Sequence, residues 1–129
     1  MSSFTENLTL TYIPSTNLWM TDREFSYFVG EENSQDKITV PKGFTTDLAS
    51  VPWPASMFIP PDGRYNQAAV LHDYLYSIQT RPRIGCDRIF LEAMKILGVN
   101  VIKRLIMYKA VRLWGWLPWN EHKKNIKKA

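Results

Sequence analysis

The sequence is poor in cysteine and histidine, the residues that build disulfides and zinc sites. Its 129 residues include one cysteine and two histidines, which excludes an internal disulfide and a zinc site of the cysteine type. A Walker loop and the GxSxG and HExxH motifs are also absent from the sequence. The usual signatures of nucleophilic and metalloprotease chemistry are therefore missing, and a single cysteine fits a cytosolic origin.

Long apolar runs are absent as well. No run approaches the ~18 residues of a transmembrane helix. The start, MSSFTENLTL, has no basic region followed by an apolar core, so neither a transmembrane segment nor a signal peptide is predicted. With 45% hydrophobic and 13% aromatic residues, the chain still has enough apolar side chains for a folded core. We expect one domain that spans residues 1–129.

Charge is distributed unevenly along a chain whose formal net charge is +4. Residues 1–50 hold three Lys and Arg and seven Asp and Glu, whereas residues 101–129 hold eight Lys and Arg and one Glu. A basic C-terminal segment suits phosphates, an anionic membrane or an acidic partner, or it is a solvated tail. We expect His122 to be solvent-exposed there. The tryptophans lie mostly beside Pro and Gly and are expected in the core, so nucleic-acid binding is not favoured.

The N-terminal third has the composition of short β-strands. Residues 8–13 alternate apolar residues with threonine, and residues 19–30 end in aromatic and β-branched side chains. Lys37–Val40 is a third candidate, and a proline follows it. These segments predict a small antiparallel sheet within residues 1–42.

Residues 43–66 are rich in proline, which neither a long helix nor a central strand tolerates. The segment also contains many apolar side chains, so we predict a loop that packs on the domain. Asp47 follows Thr45 and Thr46 within this loop. It is either a helix N-cap or Asx-turn residue, or an oxygen ligand for a cation.

Residues 67–116 show the apolar recurrence of amphipathic helices and predict a three-helix part. The first helix is expected over residues 67–78, the second from residue 86 or 87 to 97, and the third over 101–114. Glycines mark the ends of the last two. Residues 117–129 are interpreted as a basic tail. The fold class predicted from these elements is α+β.

The segment HDYLY in the first predicted helix is the strongest candidate for a functional site. His72 and Tyr76 share one helix face because they are four residues apart, and Asp73 lies about 100° around the axis. A short loop joins the first two helices, so they should pack antiparallel and bring Asp87 near His72 or Tyr76. A carboxylate bonded to one imidazole nitrogen makes the other nitrogen a better base for activating water. The alternative is a buried His-Asp-Tyr network that locks two helices together.

These considerations define five candidate site residues. His72, Asp87 and Tyr76 are the candidate catalytic residues. Asp47 and Asp73 are the candidate ligands for a divalent cation, calcium or zinc, because carboxylate oxygens suit a hard cation.

Four motifs in order resemble a family of domains of unknown function that is widespread in tailed bacteriophages and prophages. They are GFTTDLASVP, HDYLY, CDRIFLEAM and MYKAVRLWG, within residues 40–116. The resemblance implies a phage-encoded protein in the host cytoplasm or the virion, without a settled activity. A phage hydrolase would find natural substrates in ester or amide bonds of the cell envelope. The alternative is a non-catalytic tail or baseplate protein that binds other virion proteins.

The same helix is also similar to the His-Asp-x-x-Tyr helix of secreted phospholipases A2 and of the phospholipase domain of parvovirus capsids. In those enzymes the histidine activates water, the next aspartate holds calcium and a later aspartate orients the histidine. The resemblance assigns these roles to His72, Asp73 and Asp87, with Tyr76 in support. The glycine-rich calcium loop and the disulfides of the secreted enzymes have no counterpart in this sequence.

Overall fold

The chain divides into two compact units, residues 1–48 and residues 49–129, in a computed structural model that describes residues 3–31, 33–47 and 63–128. Strands build the first unit and helices build the second, which confirms the predicted α+β class. Most of the predicted proline-rich loop, residues 48–62, lies outside the described residues. Asp47 itself is described, but the residues that it would cap as an N-cap or Asx-turn residue lie outside the described ones, so this prediction is not tested.

In its described part, the N-terminal unit has six short strands in two antiparallel sheets of three. One sheet has the order β1-β4-β5 and the other β2-β3-β6. The strands are β1 (Ser3–Phe4), β2 (Leu10–Ile13), β3 (Leu18–Thr21), β4 (Phe25–Phe28), β5 (Lys37–Val40) and β6 (Thr45–Thr46). The predicted strand at 37–40 is confirmed with those bounds, and the strand expected at 8–13 begins two residues later.

The strand expected to end at Gly30 is present as β4, which ends two residues earlier. The same segment also contains most of β3, which was not predicted and belongs to the other sheet. The buried side chain of Thr21 fixes the change of direction. Its hydroxyl donates to the carbonyl of Pro41 at 2.8 Å and accepts from the amide of Phe44 at 2.9 Å. After this point the chain crosses the polar residues 22–24 and starts the second sheet.

The described part of the C-terminal unit contains four helices. They are α1 (Asn66–Ile78), α2 (Arg83–Ile96), α3 (Val101–Trp114) and α4 (Trp116–Lys128). The first and third agree with the predicted helices. The second begins three or four residues earlier than predicted, because Pro82 stands just before the first turn and does not interrupt the helix. A proline is tolerated there, since the first amides of a helix have no intrahelical acceptor.

The segment interpreted as a basic tail is helical, because residues 116–128 form α4. The prediction that the helices end before residue 117 is therefore wrong. Gly115 predicts the end of the preceding helix, and a proline three residues later would ordinarily confirm that the helix stops there. Pro118 is instead the third residue of α4, where its missing N–H costs no hydrogen bond. The amide of Trp119 then bonds the carbonyl of Gly115 at 3.0 Å, which starts the new helix directly after the old one.

The helical unit encloses an apolar core that follows the predicted spacing of three to four residues. Its buried side chains include Ala68, Leu71 and Leu75 of α1, Phe90, Ala93 and Met94 of α2, and Met107 and Ala110 of α3. One charged residue, Asp87, is buried with them. An ionised group in such surroundings requires charged or hydrogen-bonding partners, and the site is built from those partners.

Candidate functional site

Asp87 of α2 is the centre of the candidate site, and its carboxylate is fully buried. Its Oδ1 accepts hydrogen bonds from His72 Nε2 at 2.7 Å and from the Tyr76 hydroxyl at 2.6 Å. Its Oδ2 lies 2.6 Å from Nη1 of Arg112 and 3.5 Å from Nη1 of Arg83. The prediction that antiparallel packing brings Asp87 to His72 or Tyr76 is confirmed for both residues.

The charge of Asp87 follows from these contacts. Burial by itself would raise the pKa of the carboxyl, but hydrogen bonds from His72, Tyr76 and Arg112 outweigh it and lower the pKa below its usual value. The group is therefore an ionised acceptor at neutral pH. It follows that Nε2 of His72 donates, and that a neutral imidazole in this position carries its lone pair on Nδ1.

His72 is held by two aromatic rings and keeps a small exposed edge. Its ring lies 4.2 Å from the ring of Tyr76 and 4.6 Å from that of Phe90, between centroids. The side chain retains 12% of its exposure. Within the described part of the chain, Nδ1 of His72 makes no hydrogen bond. The imidazole is thus fixed through one nitrogen and has the other available.

Tyr76 acts in this arrangement as a donor to the carboxylate. Burial, and then the hydrogen bond to Asp87, raise the pKa of its phenol well above the ordinary value, so the hydroxyl keeps its proton. Its ring also packs edge-on against Trp119 of α4, with centroids 5.1 Å apart. Tyr76 therefore connects α1, α2 and α4 at one point.

Sequence reasoning missed Arg83 and Arg112. Arg83 stands four residues before Asp87 on the same helix, which is a spacing that favours an ion pair and could have been noticed. The same guanidinium donates to the carbonyls of Val111 at 2.9 Å and Arg112 at 3.2 Å, and so caps the end of α3. Arg112 is 25 residues from Asp87 in sequence, and no local sequence pattern predicts their contact.

Position 115, between α3 and α4, requires glycine because neighbouring groups leave no room for a Cβ atom. Its backbone angles, φ −62 and ψ −17, would be open to any residue. A Cβ at this position would meet the carbonyl of Val111, the Tyr76 hydroxyl at 2.5 Å and Nη1 of Arg83 at 2.9 Å. The turn that joins the last two helices therefore lies directly against the hydrogen-bonded groups around Asp87.

The two candidate cation ligands lie in different units. Asp47 follows β6 in the N-terminal unit and is exposed. Asp73 lies on α1, where its Oδ1 is 3.4 Å from Nε2 of His122. The expectation that His122 is a solvent-exposed tail residue is wrong, because α4 packs along α1 and leaves only 28% of its side chain exposed. The predicted approach of Asp47 to Asp73 stays a prediction.

Across residues 3–31, 33–47 and 63–128, no three His, Cys, Asp or Glu side chains are grouped closely enough to hold a metal ion. A calcium or zinc ion held by Asp47 and Asp73 therefore stays a prediction. The helices described here include none that is long and apolar enough to cross a membrane.

These observations define an α+β protein whose helical unit is built around a histidine, a tyrosine and two arginines on one buried carboxylate. The chain belongs to DUF1353, a protein family of unknown function, whose model matches residues 19–111. The match includes His72, Tyr76, Arg83 and Asp87 and ends one residue before Arg112. Neither the curated proteins nor the solved structures contain a significant match to the chain.

Replacing Asp87 by Asn should destabilise the helical unit by about 3–5 kcal/mol at neutral pH, because two arginines lose their buried counter-charge.

The lowered pKa of Asp87 sets the pH dependence of this destabilisation. Its stabilisation is fully present above the ordinary carboxyl pKa of about 4 and is lost as the pH falls through the lower folded-state value. Urea unfolding of both proteins at neutral and acidic pH measures this difference, which should shrink below about pH 4. A difference that stays constant through that range would contradict the assignment. The exposed substitution Glu121→Gln serves as control.

Gly115→Ala should lower the free energy of unfolding by about 1–3 kcal/mol, because the added methyl group displaces Tyr76 and Arg83. Gly85→Ala provides the matched control on α2. There the nearest side-chain atom to the new Cβ would be Cδ of Arg81, at 3.9 Å, and the change should stabilise the helix by up to ~1 kcal/mol. Urea unfolding curves of the two variants test this contrast. Equal effects would show that the close approach at Gly115 does not constrain the fold.

Proposed function

We propose that this protein is a hydrolase in which His72 is the general base that activates water. The observation that carries the proposal is the 2.7 Å contact between His72 Nε2 and Asp87 Oδ1. This contact supports an imidazole with Nδ1 as its free basic position. The side chain keeps 12% of its exposure, and the proposal requires that water reaches Nδ1 through this exposed part. The resemblance of HDYLY to the catalytic helix of phospholipases A2 supports the same assignment of roles.

The proposed step is a direct attack by water on an ester or amide. Nδ1 of His72 removes a proton while the water oxygen forms a bond to the carbonyl carbon. The tetrahedral intermediate then collapses, and the bond to the leaving oxygen or nitrogen breaks. The imidazolium returns its proton to the leaving group, so the products are an acid and an alcohol or amine. His72 ends in its starting form.

The other residues around Asp87 hold this base in its working state. When His72 takes up the proton, its positive charge lies next to the Asp87 carboxylate, which stabilises the imidazolium. The hydroxyl of Tyr76 and the guanidinium of Arg112 occupy further lone pairs of that carboxylate. They keep it ionised and keep it from turning away from His72. We assign Asp87 and Tyr76 as positioning residues, with Arg83 and Arg112 in support.

We further propose that the protein is phage-encoded and acts on ester or amide bonds of the host cell envelope. The support is the set of motifs that resembles a family of tailed bacteriophages and prophages, together with the His-Asp pair. The candidate cation ligands, Asp47 and Asp73, take no part in the step described above.

His72→Ala should lower hydrolysis by about 10²–10⁴-fold, since general-base catalysis contributes that much. Suitable probes are p-nitrophenyl butyrate, phosphatidylglycerol vesicles and purified peptidoglycan. The control is His122→Ala, which removes the only other histidine and should leave the rate within about twofold, since it lacks the contact to Asp87. If wild type turns over none of the three probes, or if His72→Ala is as fast as wild type, the network around Asp87 is structural.

A second candidate is a non-catalytic virion component, and one observation favours it. Val101, Ile102 and Leu105 form an exposed apolar face on α3, which suits docking on another virion protein. In that case the chain would be detected in purified virions by mass spectrometry. A phage with His72→Ala would remain infective, whereas Leu105→Lys would prevent incorporation. The enzyme proposal predicts the opposite: His72→Ala should impair infection, and Leu105→Lys should not affect it.

A further inference from the structure

Four large apolar side chains project from the junction of the last two helices. Leu113, Trp114, Trp116 and Leu117 are 62%, 44%, 51% and 51% exposed. They flank Gly115, and we call them the α3–α4 corner. Apolar groups gathered in one exposed place mark an interaction surface, whereas scattered ones do not.

The backbone under the α3–α4 corner is firmly anchored. Arg83 donates to the carbonyls of Val111 and Arg112, just before the corner. The side-chain amide of Gln79 donates to the carbonyl of Trp119 at 2.8 Å, just after it. Hydrogen bonds therefore hold the backbone on both sides of the corner, which is not a frayed helix end.

A row of positive charge continues from the corner along α4. Lys123, Lys124 and Lys127 are exposed, and we call them the basic face. They line one open depression of about 400 Å³ together with Trp116 and Leu117 of the corner and with Asn120 and Glu121. Glu121, the single acidic residue there, lies 3.9 Å from Lys124, so the depression keeps a net positive charge. Spacings of three, four and seven residues place these groups on one side of the helix. The opposite side is occupied by Trp119 and His122, which contact α1.

We propose that the α3–α4 corner and the basic face together bind the surface of an anionic lipid bilayer. Tryptophan and leucine are the side chains that enter the boundary between headgroups and acyl chains. Lysines extend their stems along that boundary and pair with lipid phosphates. The protein would lie on the membrane through this edge. Binding of this kind stands independently of any hydrolysis by His72.

Charge complementarity favours this occupant over the alternatives. Residues 101–129 contain eight Lys and Arg and one Glu, so an anionic surface meets little repulsion. A second copy docked on the same surface would bring the two basic faces together, where like charges repel.

The test compares the full chain on vesicles of phosphatidylcholine alone and on vesicles with one quarter phosphatidylglycerol. Co-sedimentation and a blue shift of tryptophan emission should appear only with the anionic vesicles. Salt at about 0.5 M should release the protein, because the charges are screened over a few ångströms. Equal binding to both vesicle types, or no binding to either, would overturn the proposal.

Two sets of variants separate the contributions. Replacing the three lysines of the basic face by Gln should weaken anionic-vesicle binding about 100-fold, because each surface lysine contributes about fivefold. The control removes the same charge from three exposed residues elsewhere, by Lys42→Gln, Arg88→Gln and Lys95→Gln. It should change the affinity much less. Equal losses in the two triple variants would overturn the assignment to the basic face.

The apolar half of the surface is tested by the double substitution Trp116→Ser and Leu117→Ser, with Ile84→Ser as the exposed apolar control. The double variant should lose the emission shift and at least tenfold in affinity, while circular dichroism remains unchanged. Two results would assign the surface to another occupant. One is a wild-type dimer that becomes a monomer in the double variant. The other is binding of soluble polyglutamate more tightly than of anionic vesicles.

Discussion

The carboxylate of Asp87 is the point on which the helical unit depends. A buried ionised group has to be compensated, and here the compensation comes from three helices, through His72, Tyr76, Arg83 and Arg112. Because these partners are distributed over α1, α2 and α3, the requirement to pair one charge also fixes how the three helices are placed against one another. The apolar core supplies most of the burial, whereas the charge network selects one arrangement.

The same contacts bear on the choice between a structural and a catalytic role. Buried ion networks are weak sources of stability, since apolar groups of similar volume often do as well. Apolar side chains at these positions could therefore have stabilised the fold without a buried charge. A histidine fixed through one nitrogen, with an ionised carboxylate behind it and a small opening to solvent, is more than helix packing requires. Perturbed ionisable groups gathered in this way are typical of functional sites.

Local patterns were sufficient for part of this structure. The spacing of His72 and Tyr76 and the short connection after α1 predicted the contact with Asp87, because helical periodicity and short loops constrain geometry strongly. Arg112 could not be predicted, since its contact depends on how α3 packs. The two sheets were also missed, because β1 and β6 have two residues each and carry no periodicity. At α4, the rule that proline ends helices was applied to a position where proline is tolerated.

The absence of a side chain at Gly115 has a mechanical consequence. The peptide backbone between the last two helices lies against the phenolic oxygen of Tyr76 with no space to spare. The turn at Gly115 and the hydrogen-bonded groups around Asp87 therefore lie in direct contact, so a displacement of the turn would also move the phenolic oxygen of Tyr76. Because Tyr76 and His72 share Oδ1 of Asp87, it would also change the orientation of the imidazole.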